Sequence, residues 1–445
     1  MRFLLMLMAF VFISCSSDKK QTASVIPWGV KRLGVATFQT EGGGIATDSS
    51  GKVYVVGSTN GALDGQTLSG GKDGFLTIYD ANGTKISTTL FGGSSSNTYV
   101  EPKSVLVDAN GDIYVAGHIS GGRIPSGSAT GLYDYFITKF DSTGNFLWHE
   151  QEGLSGVFTN AWGGLALDTS GNVYLCGVTQ GNLNGATAIG SAQNAYIVKY
   201  DSSGTLLNTF LYGVTGATTG CSGIAVASSG NIYISAYTYG NLHGETLTGT
   251  YDAAIIKLDS AGTPQWTKLL GTSGVGTGTS RLVLDASENV YVAGTARGVL
   301  PSGSLPANSS IGTSDTFLAK YNSSGVFQYA HQMGVSGNDT YPYTLAYNST
   351  LGSLYVVGST EGNLNGATIA GSSDGFITEF NASTGSKGFT KVIGSSSYSE
   401  TLDVALNTAG DIFVVAKTDS DVLDSILIGT IDTVILKYGS DGSLK

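Results

Sequence analysis

The sequence predicts an all-β protein, a seven-bladed β-propeller of four-stranded blades, and three observations predict it. A short motif, Val/Ile/Leu-Tyr-Val-x-Gly, recurs seven times, its aromatic falling at Tyr54, Tyr114, Tyr174, Tyr233, Tyr291, Tyr355 and Phe413, with intervals of 60, 60, 59, 58, 64 and 58 residues. One supersecondary unit repeated at a fixed period marks a repeat architecture. Each copy also holds four short runs rich in Val, Ile, Tyr and Phe, with no helical period between them. Finally, the 445 residues include 65 Gly but only 7 Pro, and 41% are hydrophobic, with 23 Tyr and 17 Phe. That supplies a large core and argues against disorder.

The elements follow in chain order. Arg2 precedes an apolar run from Phe3 to Ile13, then Ser14 and Cys15. The run is too short to span a bilayer and fits a secretory signal over residues 1–14. Phe12-Ile13-Ser14-Cys15 resembles a bacterial lipobox, although Phe12 replaces the usual Leu. Cys15 is then the lipidated first residue of the mature chain, residues 15–26 its tether, and 27–445 the propeller. Ser16 stands where an Asp would signal inner-membrane retention, so an outer membrane is expected. An ordinary signal peptide with a chance Cys is the plainer alternative.

Within each copy the first run is small and apolar, as in GIATD ending at Asp48. Its Gly and Ala suit an innermost strand beside a crowded axis. The Tyr-containing run is second, a run such as DYFITKFD (Asp134 to Asp141) third, and a run such as NFLWHEQEG fourth. Asp-x-x-Gly separates first from second and third from fourth, as at Asp48 to Gly51 and Asp80 to Gly83. Asp accepts backbone bonds at a turn start and Gly supplies positive φ, so these are hairpin turns. The seventh copy stops at Lys445 without a fourth run, while residues 27–34 match Pro264 to Gly271 in spacing. The N-terminal strand is therefore expected to complete the last blade and close the ring.

The order T-x-G-N-L-N-G-A-T-x-x-G, D-x-F-I-x-K-Y-D-x-x-G, W-T-K-x-x-G and G-I-A-V-D-x-x-G-N-V-Y-V-x-G resembles the bacterial seven-bladed β-propeller repeat (SBBP-type) family, over residues 27–445. The resemblance implies the fold and leaves the activity open, because propellers host both enzymes and binders.

Second-to-third loops run some 15 residues and fourth-to-first loops some ten, whereas the other turns are minimal. In an up-and-down blade both long classes emerge on one side of the disc. That face is the candidate binding face, although Leu63, Leu183, Leu242 and Leu364 read more simply as packing small extra hairpins. Seven residues before the residue ending each first strand, three copies carry Glu41, Glu101 and Glu400; Asp339 lies near the equivalent Tyr341. The three acids belong to neighbouring copies in a closed ring, an acidic arc suited to calcium or a basic group, or simply solvated charge. Tyr99, Phe158, Trp162, Tyr341, Tyr343 and Tyr398 share these loops and either stack on a ligand or cover the core.

Catalytic groups are scarce. The four His have no metal-ligand spacing, no nucleophile elbow occurs, and the Lys recurring in third runs reads as scaffold. Cys176 reads as a small buried strand residue and Cys221 as part of the loop into copy four; a bond between them is open to an oxidising compartment, but the unbonded reading is preferred. No cofactor is expected beyond calcium, and whether metal binds stays open. Net charge is −11, with 22 Lys plus Arg, which excludes a phosphate-binding surface for nucleic acid.

The expectation is a monomeric, lipid-anchored, extracytoplasmic scaffold, on the periplasmic or surface side of a bacterial outer membrane. It binds a protein or carbohydrate ligand through its long-loop face and touches membrane through the anchor alone. The alternatives are a carbohydrate-active enzyme using Glu41, Glu101 and Glu400, and a purely structural surface protein, which predicts a flat loop face without a pocket.

Overall fold

In the computed structural model, which describes residues 28–125, 129–190, 192–303, 308–309 and 311–445, the strands gather into seven antiparallel sheets, one per repeat. The expected signal, tether, Cys15 and Pro27 lie outside the described residues. Blade 1 runs outward through Thr40–Thr47, Val53–Thr59, Asp73–Tyr79 and Lys85–Phe91. The second and third of these strands are buried along their whole length, which is why they read as unbroken apolar runs rather than as alternation.

The core lies between blades. Seven apolar clusters fill the seven interfaces, the last joining Phe413 and Val415 of blade 7 to Ile45 and Val53 of blade 1. The recurring Tyr and Lys belong to this scaffold. Tyr114 pairs in register with Lys139, whose ammonium lies 5.0 Å from the ring centroid, and Tyr174 with Lys199 at 4.8 Å. The Asp that opens most third strands is buried and caps the long loop before it. Asp73 accepts the N–H groups of Ser69 and Gly70 at 2.6 and 2.9 Å, and Asp252 those of Thr248 and Gly249 at 2.7 and 2.9 Å. The hairpin turns form as expected: Asp48 accepts from Ser50 N at 2.9 Å, and Gly51 has φ +84°.

Ring closure also follows the expectation. Lys31–Leu33 pairs with Asp432–Tyr438 as the outermost strand of blade 7. Arg32 seals the seam, donating to Asp432 Oδ2 at 3.1 Å and to the Ser425 carbonyl at 2.6 Å, and Trp28 packs on Tyr79 and Phe413.

Two readings need correction. Each innermost strand starts higher than its apolar run suggests, because a bulge, as between Gly42 and Gly44, breaks the alternation; Glu41, Glu101 and Glu400 therefore lie on strands rather than in loops. Cys176 and Cys221 are bonded, with Cα atoms 5.9 Å apart, and Cys221 lies within Thr219–Val226.

Candidate functional site

The long loops share one face. The last residue of a second-to-third loop bridges in parallel to the start of the next blade's innermost strand, as Lys72 to Tyr99 and Tyr133 to Phe158. Leu63, Leu183, Leu242 and Leu364 are buried beneath this face, and Leu183, Leu242 and Leu364 each start a tiny bridged hairpin. Extra loop length is thereby packed down, leaving the mouth of the central channel open.

The innermost strands place two side-chain rings around the channel. Just below the bulge the register aligns Gly44, Ser104, Gly164, Gly223, Arg281, Thr344 and Asp403. This ring is the waist. Arg281, Thr344 and Asp403 line both a cavity of about 490 Å³ towards the long loops and one of about 470 Å³ towards the short turns. The bulge residues, among them Lys103, Ser222, Ser280 and Tyr343, form the wall of the upper cavity, with Trp162 and Tyr237 above them.

Blade 3 departs from the others. Its innermost strand is broken into Thr159–Asn160 and Leu165–Leu167, and Gly164 at the break has φ +78°. The break puts Trp162, 52% exposed, on the cavity rim. Cys176, directly behind, holds the segment through the Gly163 N–H and Gly164 carbonyl, and its disulfide ties blade 3 to blade 4.

The residues singled out in the sequence divide accordingly. Tyr343 and Trp162 line the upper cavity; Glu41, Glu101, Glu400, Asp339, Tyr99, Tyr341 and Tyr398 do not. Each acid of the arc instead meets a lysine: Glu41 meets Lys72, Glu101 meets Lys103 at 2.9 Å, and Glu400 meets Lys417 at 3.1 Å. Glu101 also accepts from His118 Nε2 at 3.3 Å; with Lys103 this holds its carboxyl well below the usual range, while burial pushes His118 down and keeps it neutral at pH 7. Glu400 accepts from Tyr343 Oη at 3.0 Å, and Asp339 from Tyr341 Oη at 2.6 Å and from Thr313. Tyr99 is 47% exposed at the periphery, and Tyr398 lies beneath the Lys417 ammonium. Among the described residues no group of three or more His, Cys, Asp or Glu converges as metal ligands would.

Sequence reasoning missed Arg281 and Asp403. Comparing the seven copies at the position after the bulge exposes both, since charged residues stand there among Gly, Ser and Thr.

The fold and its channel define a seven-bladed β-propeller with a funnelled mouth. Residues 29–63 match the SBBP family, described as a beta-propeller repeat. It is 25% identical over 411 residues to the regulatory protein FlaEY of Caulobacter vibrioides, covering 82% of this chain and 41% of that protein. It is 26% identical over 220 residues to an uncharacterised WD repeat-containing protein of Acanthamoeba polyphaga mimivirus, covering 47% and 12%. The chain thus spans less than half the length of either curated relative. Among solved structures it is similar to a chain of the mitotic checkpoint complex (TM-score 0.50, 10% identity, 98% of each chain) and to the Dos1 propeller (TM-score 0.47, 9% identity, 92% and 95%). At 10% identity the likeness to the mitotic checkpoint chain speaks for the fold alone.

Proposed function

We propose that this chain is a lipid-anchored, extracytoplasmic binding module that takes a carbohydrate or protein ligand at the channel mouth of its long-loop face. The observation that carries the reading is the cavity of about 490 Å³ there, walled by residues that differ from blade to blade on an otherwise repeating scaffold. Its size falls in the range of small-ligand sites. A purely structural protein predicts a flat face instead. The lipobox-like Cys15 supports the anchor, and the Cys176–Cys221 bond supports an oxidising compartment. An enzyme using the acidic arc needs one carboxylic acid held protonated near neutrality, and the Lys103 and His118 contacts drive Glu101 the other way.

Glycan-array screening of the mature chain, followed by titration of the glycans bound, tests the site. Trp162→Ala is expected to weaken binding about tenfold or more, while Thr143→Lys on the short-turn face leaves it unchanged. Binding that ignores Trp162→Ala but falls with Thr143→Lys overturns the assignment. Cys15→Ser should move the protein from the membrane fraction to the soluble one.

A further inference from the structure

We propose that the cavity above the waist receives the carboxylate of a small acidic saccharide, anchored by the Arg281 guanidinium. The inference rests on the reading of the mouth as the ligand site, and names its chemistry.

Arg281 is the cation of the waist, and the fold makes room for it. Gly164 and Gly223 stand where blades 2, 5, 6 and 7 carry side chains: a Cβ at Gly164 would overlap the guanidinium, and one at Gly223 would lie 3.0 Å from the Arg281 Cα. Arg281 therefore reaches across the channel from blade 5 to blade 3. Among the described residues no carboxylate comes within ion-pair distance of it, and no protein group accepts a hydrogen bond from it; Asp403 acts on it only through the field. Asp403 is itself turned aside. Its Oδ2 accepts the Ile45 N–H of blade 1 at 2.9 Å, and its Oδ1 accepts the Val404 N–H at 2.9 Å.

The Arg281 guanidinium lines both channel cavities, is only partly buried and has no protein acceptor, so its donors are open to a ligand in the channel. Its planar fork of donors matches a carboxylate through two parallel hydrogen bonds. The walls above it select what carries that carboxylate. Ser222 and Ser280 bring hydroxyls, Tyr237 and Tyr343 bring phenols, and Trp162 offers a ring face at the rim, a combination suited to a hydroxylated ring. The net charge of −11 disfavours polyanions at long range, which leaves a small singly charged ligand.

The test is calorimetric titration of the mature chain with glucuronate, glucose and N-acetylalanine, using wild type, Arg281→Gln, Ser222→Asp and Trp162→Ala. Glucuronate is expected to bind at least about tenfold more tightly than glucose, and Arg281→Gln to remove that margin. Ser222→Asp plants a carboxylate on the same wall with the arginine retained, and should block binding while circular dichroism stays native. No glucuronate binding, equal affinity for glucose, or an indifferent Arg281→Gln overturns the anchor. If an array glycan is still lost on Trp162→Ala in that case, the mouth remains the ligand site. Tighter binding of N-acetylalanine overturns the saccharide and assigns the site to an amino-acid carboxylate.

Discussion

The two halves of the channel mouth handle charge in opposite ways. Around blades 7, 1 and 2 the acids are answered locally: Glu400 by Lys417, Glu41 by Lys72, Glu101 by Lys103 and His118, and at the seam Asp432 by Arg32. Around blades 3 to 5, the innermost strand of blade 3 is broken, a disulfide bridges the break to blade 4, and Arg281 of blade 5 stands without an acid. The acids of the arc, which look available in sequence, are electrically satisfied. The half that looks like glycine and serine holds the available charge. Net charge and acid counts therefore say little about the sign of a site; local pairing decides it.

The largest effect expected from this contrast is at the seam. Arg32 and Asp432 are both nearly excluded from solvent, with side chains 5% and 0% exposed. Arg32→Met should cost about 3–5 kcal/mol, since it strands a buried carboxylate, whereas Arg281→Met should stay within about 1 kcal/mol of wild type because no pair is broken. Urea unfolding of both variants measures the difference. Equal losses would make Arg281 a brace and erase the contrast. Next comes the disulfide, which joins cysteines 45 residues apart. Cys176→Ser with Cys221→Ser should cost roughly 2–4 kcal/mol, and amide exchange should quicken first along residues 159–167 and 219–226. Uniform acceleration around the ring would mean that the bond does not specifically secure the broken strand.

The scaffold was legible because its causes are periodic. Tyr114 with Lys139 and Tyr174 with Lys199 repeat because the register repeats, and the closing strand at Lys31–Leu33 showed itself as the piece missing after Lys445. The site was not, because its causes are singular. The bulge hides where the innermost strand begins, so Glu41 and Tyr343 read as loop residues. Cys176 and Cys221 sit in separate repeats, and only the packing of one blade on the next brings their Cα atoms to 5.9 Å. Arg281 gains its meaning from the glycines across the channel, a relation that no stretch of sequence contains.

The smallest expected effect carries opposite signs at two carboxylates, Asp403 at the waist and Glu101 above it. Burial pushes the Asp403 carboxyl up to about 6, against the pull of the Ile45 N–H, the Arg281 charge and the Val404 N–H; Lys103 of blade 2 and Tyr343 of blade 6 line the cavity with it. A carboxyl with a higher pKa in the folded chain than in the unfolded one binds its proton more readily when folded. It therefore detracts from stability at pH 7, and that penalty is relieved as pH falls from about 6 towards the unfolded value of 3.8. Water in the channel screens the effect to the order of 1 kcal/mol. Glu101, held low by His118 and Lys103, does the reverse: its contribution is present above the unfolded carboxylate range and is lost as pH falls below it. Between pH 6 and 4, wild type should gain stability relative to Asp403→Asn. Glu101→Gln, compared with wild type, should instead lose less stability on further acidification. Parallel unfolding curves for Asp403→Asn and wild type across pH 4 to 6 would place the Asp403 carboxylate in bulk-like solvent, and with it the waist from which Arg281 would hold a ligand.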